Sequence, residues 1–322
     1  MIKLVITENE ENQRLDRFLR KYLKNAPLSH IYKLIRKDIK INGKRGNIET
    51  ILSSGDEISI YINEEELELY KKAGSSNKAK RQFKVAYEDE QILIVEKPFG
   101  LLTHGDATEK KNTLANQVIG YLTEQGTYIP RMEKTFIPSP VNRLDRNTTG
   151  LVIFGKTAAA LRSLNKMLRE RGYVSKYYLT IVAGKLDKEL ILKDKMEKDS
   201  RSNTVKVKAM EEVGGKVMET IARPIMTKNG FTLVEVELVT GRTHQIRVHL
   251  EKAGYPVIGD AKYGDRRVNQ RVSRKYDLST QFLHAHRLIF HSGIDPLTYL
   301  EGLEVICPLT DELERIKICI FD

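Results

Sequence analysis

The 322-residue sequence predicts an α+β protein, with a small N-terminal module ahead of a larger domain built on a mixed, mostly antiparallel sheet with flanking helices. Three observations lead there. The length suggests two domains. A stretch with little periodicity, Glu64 to Gln82, separates a self-contained beginning from the remainder. Beyond it, runs of β-prone apolar residues mix with intermittent helical spacings, as in a sheet with helices laid against it. The balance of 40% hydrophobic and 30% charged residues is that of a globular protein. No run of about 18 uncharged apolar residues occurs, so no membrane span is expected.

Residues 1–63 form the first predicted domain. Ile2 to Ile6 alternates as a strand, and Leu15, Phe18, Leu19 and Leu23 recur at helical spacing. Ser29 is placed to cap a second helix whose inner face carries Ile31, Leu34 and Ile35. Ile39 to Ile41 leads into Asn42-Gly43, a strong hairpin signal, and Glu57 to Ile62 alternates as a closing strand. Two short helices followed by a basic hairpin resemble the αL RNA-binding motif of the S-four type of small-subunit ribosomal protein. On that resemblance Lys40, Lys44 and Arg45 are expected to touch RNA. Residues 64–82 are expected to be a linker.

Residues 83–322 form the second predicted domain. Ile92 to Val95 reads as a buried strand ending in the turn Lys97-Pro98-Phe99-Gly100, and Leu151 to Phe154 as another. Thr157 should cap a helix with Leu161, Leu164 and Leu168 inside and Arg162, Lys166 and Arg169 outside. Tyr177 to Val182 and Phe231 to Val239 read as strands. His244 to Lys252 reads as a short helix stopped by Gly254.

The net charge is +11 and the isoelectric point near 9.4. A basic surface concentrates polyanions, although a lysine-rich proteome would give the same total. The distribution favours a footprint: His30 to Arg45 and Lys262 to Tyr276 each carry six cationic residues and one acid. Cys307 and Cys319 sit in apolar runs and read as two buried thiols of a reducing compartment. The N-terminus has no long apolar core of the signal-peptide kind, so a cytoplasmic location is expected.

Two constellations could carry chemistry. Asn142 to Gly150 is a polar loop ahead of a core strand, with Asp145 between Arg143 and Arg146. Nearby positive charge keeps an aspartate ionised, ready to act as nucleophile or base. A surface salt-bridge cluster would look the same. In the second, Thr240 to Leu250, a strand ends and a helix begins. Arg242, Thr243 and the helix amides could hold a phosphate, with Arg247 one turn on. A capped helix with ordinary surface arginines is the alternative. Gly150 to Thr157 fits the P-loop pattern GxxxxGK(S/T), but its four inner residues are apolar and belong in a strand. The spacing of His244 and His249, and of His284 and His286, brings no evident third ligand, so no metal site is expected.

At this point the residues resemble a known family. Asn142 to Gly150 is similar to HRLDxxTSG of the Rlu-type pseudouridine synthases of the large ribosomal subunit. Tyr87 to Asp106 resembles their segment ending in KPxGLxxH. Lys176-Tyr177-Tyr178 resembles their KxY, and Gly241 to His249 matches GRTHQIRVH, extended by Pro256 to Asp260. The matches fall in the family's order, and the N-terminal module points to the RluC and RluD branch. The resemblance implies isomerisation of uridine to pseudouridine in RNA, most of all 23S ribosomal RNA. It implies Asp145, Tyr178 and Arg247 as catalytic residues, and Arg143 as the residue that holds the extruded base out of its stack. Arg242, Thr243, Gln245 and Lys176 are expected on the substrate, with no metal or small-molecule cofactor and a monomeric protein. Departures are Asn142 for the usual histidine, Thr149 for serine and Ser292 for a frequent proline. The competing readings are an RNA chaperone without catalysis, a transfer-RNA pseudouridine synthase and a nucleotide hydrolase.

Overall fold

The computed structural model describes residues 1–71, 80–130, 134–199 and 204–322. The chain begins with β1 (Ile2–Val5), α1 (Leu15–Tyr22) and α2 (Leu28–Lys37). Leu15, Phe18 and Leu19 of α1 and Ile31, Leu34 and Ile35 of α2 are buried, as their spacing predicts. Ser29 is not the cap. Helix α2 starts two residues earlier than such a cap implies, at Leu28 behind Pro27, whose fixed φ suits the approach to a helix and which offers no side-chain acceptor. Strands β2 (Ile39–Ile41) and β3 (Lys44–Arg45) form the expected hairpin, with Asn42 and Gly43 both at positive φ. With β4 (Glu57–Ile60) they make a four-stranded sheet in the order β1-β4-β2-β3.

The reading of residues 64–82 as a linker needs correction. Glu64–Lys71 forms helix α3, and Leu67 is buried against the core of this first sheet. Three acidic residues in its first turn suit the positive end of the helix dipole and hide its helical character in an acidic run. Residues 80–82 lie beyond the helix, and the rest of the expected linker lies outside the described residues.

The larger part continues with β5 (Lys84–Glu88), β6 (Ile92–Lys97), α4 (Leu114–Glu124), β7 (Ser139–Pro140) and β8 (Thr149–Gly155). There follow α5 (Ala158–Arg169), β9 (Val174–Ala183), β10 (Leu190–Asp199), β11 (Thr204–Lys208), β12 (Lys216–Lys228) and β13 (Phe231–Leu238). The chain closes with α6 (Gln245–Lys252), α7 (Arg266–Tyr276), β14 (Leu283–Phe290), β15 (Glu304–Ile306) and α8 (Asp311–Phe321). One sheet runs β11-β10-β12-β13-β9-β14-β8-β6-β5, with β15 on β14 and β7 on β8. All pairings are antiparallel except β8 with β14. The expected mixed, mostly antiparallel sheet is therefore present.

Strand alternation sends Leu93, Val95, Val152 and Phe154 to one face and Ile92, Ile94, Leu151 and Ile153 to the other. Helix α5, capped by Thr157 as expected, buries Leu164 and Met167 against the second face. The P-loop pattern is strand β8, as its apolar residues require. Gly150 (φ +109°) permits the parallel crossing with β14, because a Cβ there would collide with the carbonyl oxygen of Ala285. Cys307 is buried but Cys319 is exposed, because α8 buries Ile316, Ile320 and Phe321 on its inner side. Among the described residues no helix is long and apolar enough to cross a membrane.

Candidate active site

The loop between β7 and β8 is tied down along its length. The Asn142 side chain donates to the Leu151 carbonyl (3.2 Å) and accepts from the Ile153 amide (2.8 Å), fastening the loop to the strand that follows it. Thr103 bonds both backbone groups of Leu144. Thr149 donates to Nδ1 of His284 (2.7 Å), whose Nε2 in turn donates to the Cys307 carbonyl, an oxygen that can only accept. Beneath the loop Lys97, 1% exposed, donates to the carbonyls of Pro98, Leu101 and Arg146. Burial lowers its pKa to about 7, against the pull of Asp145. A lysine ending the apolar run of β6 is the sequence signal for this support, and reading that run only as a strand and turn misses it.

Asp145 is held at the mouth of this loop. Its sequence neighbours do not pair with it: Arg146 turns to Asp106, and Arg143 is exposed with no ion pair among the described residues. The partner is Arg247 of α6, whose Nη1 donates to Oδ2 of Asp145 at 2.9 Å. His244 Nε2 stands 3.8 Å from the same oxygen. Oδ1 makes no hydrogen bond among the described residues.

The two-pronged grip of the Arg247 guanidinium is spent elsewhere than on Asp145. That grip belongs to Asp260: Nε and Nη2 donate to its two oxygens at 2.5 and 2.8 Å. Asp260 is fully buried and also accepts from the amides of Lys262 and Tyr263. Burial works against the Arg247 charge, but Asp260 and Asp145 outweigh it and raise its pKa. Burial likewise opposes the Asp260 charge, and Arg247 outweighs it in the other direction. Gly259 precedes Asp260 at φ +76°, where a Cβ would collide with the Thr280 carbonyl. Asp260 stands in the sequence only as part of a motif extension. Nothing local marks it as a partner of Arg247.

The helix bearing Arg247 starts at Gln245, one residue later than expected, because His244 is left-handed (φ 55°). Nδ1 of His244 meets the Tyr263 hydroxyl at 3.0 Å, and burial lowers its pKa despite Asp145. Gln245 was expected on RNA, but its amide is committed inside the protein. It accepts from the Thr240 hydroxyl and the Arg242 amide and donates to the Glu219 carbonyl and Thr220. It shapes the loop that presents Arg242 and Thr243. Arg242 is exposed, its Nε donating to the Val217 carbonyl.

Tyr178 of β9 is buried beside Asp145, and burial, then the carboxylate, push its phenol upward, so it stays neutral. Asp145, Tyr178, Arg247, Arg143 and Arg242 line a recess of about 50 Å³. Through Arg143, Asp145, Tyr178 and Arg242 it joins a groove of about 490 Å³ that also takes in Lys176 and Thr243. Lys40, Lys44 and Arg45 are not brought to this pocket. They are exposed on the separate N-terminal sheet, with Lys40 and Arg45 as cross-strand partners. A carboxylate with one oxygen clamped and one open, near a neutral phenol, is suited to attack or to proton removal.

Residues 91–252 match the model of the RNA pseudouridylate synthase family. The chain is 32% identical over 316 residues to ribosomal large subunit pseudouridine synthase C of Vibrio vulnificus, covering 97% of this chain and 94% of that one. It is 35% identical to the protein of the same name from Escherichia coli O157:H7, over 98% and 95%. The fold is shared with human RNA pseudouridylate synthase domain containing 1, at a TM-score of 0.56 and 22% identity over 78% of this chain and 91% of that one. Family match, near full-length identity and fold agree, and this chain is a member of the RNA pseudouridylate synthase family.

Proposed function

We propose that this enzyme converts uridines of large-subunit ribosomal RNA to pseudouridine, with Asp145 as its catalytic carboxylate. The observation that carries the assignment is the Arg247 clamp on one oxygen of Asp145, beside a recess that Asp145 and Tyr178 line together. The ribosomal substrate rests on the names of the relatives.

A uridine must leave its stack before its glycosidic carbon is reachable. Arg143, exposed and unpaired among the described residues, fills the space that the base vacates. The uracil lies against the Tyr178 ring. With Asp145 acting, the bond from ribose C1′ to N1 breaks, the uracil turns, and C1′ joins C5. The C5 proton is lost and N1 gains one, so the change balances without a redox partner. Arg247 keeps Asp145 charged and aimed while the pocket loses water. The basic hairpin of residues 1–63 supplies affinity through phosphates.

The test is to map pseudouridine in ribosomal and transfer RNA from cells with and without the gene, then restore the gene as wild type or Asp145→Asn. Ribosomal sites should vanish on deletion and return only with wild type. Loss confined to transfer RNA would reassign the substrate, and return with Asp145→Asn would remove the catalytic assignment.

A further inference from the structure

Strand β9 sends Lys176 and Tyr178 to the same face, roughly 7 Å apart along the strand. Tyr178 pairs with Val236 and Ala285, and Lys176 with Leu288, so apolar residues stand opposite both on the neighbouring strands. Lys176 is 8% exposed and lines the groove beside Asp145. Among the described residues it makes no hydrogen bond and no ion pair. Lys97 is also buried, yet three carbonyls surround its ammonium. The other cations of the groove are placed differently. Arg171 is paired with Glu219 at 2.8 Å and Arg169 with Glu170 at 3.8 Å, and Arg143 and Arg242 are exposed side chains.

An ammonium stripped of much of its hydration and left without a protein partner is costly to a folded protein. A ligand that brings a full negative charge removes the cost. A uracil oxygen brings only a partial charge, whereas a backbone phosphate brings a whole one, and one nucleotide can span the distance from Lys176 to the Tyr178 ring. We propose that Lys176 is the seat of one RNA backbone phosphate, the one adjoining the uridine whose base is drawn to Asp145. This rests on the reading of Asp145 as the uridine site.

The test uses the full chain and a short RNA spanning the uridine that mapping identifies. The RNA is either unmodified or carries one neutral methylphosphonate in place of each phosphate flanking the uridine in turn. Wild type should lose roughly ten- to a hundredfold in affinity at one of these positions. Lys176→Met should bind unmodified RNA more weakly by a similar factor and ignore the methylphosphonate at that position. Lys176→Arg should keep the sensitivity. The salt dependence of binding by Lys176→Met should flatten by about 0.7 in log–log slope. Without RNA, Lys176→Met should melt no lower than wild type, because it removes an unpaired charge. Undiminished affinity in Lys176→Met, full sensitivity to every methylphosphonate, or a markedly lower melting temperature would each overturn the assignment. Failure of wild type to isomerise the unmodified RNA would instead overturn the uridine reading.

Discussion

The two walls of the Asp145 pocket treat charge in opposite ways. On the wall built by α6, Arg247 bridges two carboxylates, Asp260 takes four hydrogen bonds, and Gln245 spends its whole amide inside the protein. On the wall built by β9 and the Asp145 loop, Lys176 and Arg143 have no ion-pair partner among the described residues. Paired buried charges hold geometry, because each fixes the direction of the other. Unpaired ones leave a demand that a polyanion can meet. On the proposed function, the difference separates the side of the pocket that would aim the carboxylate from the side that would receive RNA.

The hardest break is at the carboxylate itself. Asp145→Asn should lower turnover by at least about a thousandfold while RNA binding persists, measured as single-turnover conversion beside a binding titration. Wild-type turnover would remove Asp145 from the chemistry.

On the paired wall, Arg247→Lys keeps a positive charge but cannot hold both Asp260 and Asp145 with a planar fork. Turnover at saturating enzyme should fall by about a hundredfold. Asp260→Ala leaves the buried guanidinium short of its main partner and should cost about 3–5 kcal/mol of folding stability in denaturant titration. An Asp260→Ala protein as stable as wild type would show that the paired wall is not structural.

A pH series sharpens the structural side further. His284, fully buried between Thr149 and Cys307, is held neutral by burial, its pKa lowered from 6.5 to about 4. The unfolded chain then binds this proton more readily than the folded one. Stability is fully present above pH 6.5 and is lost as pH falls toward 4, up to about 3 kcal/mol from this group. His249, also lowered to about 4 by burial, adds in the same direction. Melting temperatures from pH 7.5 to 4.5 should show the decline, and His284→Gln should make it shallower. An equal decline in the variant would place the titration elsewhere.

The smallest effect belongs to the receiving side far from the chemistry. Replacing Lys40, Lys44 and Arg45 together by Ala should weaken RNA binding by roughly tenfold and reduce its salt slope, leaving turnover at saturating enzyme unchanged. An unchanged salt slope would take the hairpin out of the RNA footprint.

Much of this molecule is written locally in the chain. The Asn42-Gly43 turn, the Thr157 cap, the apolar strand that only looks like a P-loop, and the buried faces of α1 and α2 each depend on residues a few positions apart. Backbone preference and burial period act at that range. The motifs likewise single out Asp145, Tyr178 and Arg247 from the sequence alone. Which charges meet is a different matter. Arg143 and Arg146 adjoin Asp145 in sequence, yet the guanidinium that reaches it comes from 102 positions away. The fork of Arg247 goes to Asp260, Gln245 turns inward, and α3 joins the N-terminal core out of an acidic run that reads as linker. The outcomes at the pocket depend on the order of strands β8, β14 and β9 and on the loops at their ends, and that of α3 on the packing of the separate N-terminal core. Strand order comes from packing the whole sheet, so the pairing of ionic side chains could be decided only by the tertiary structure.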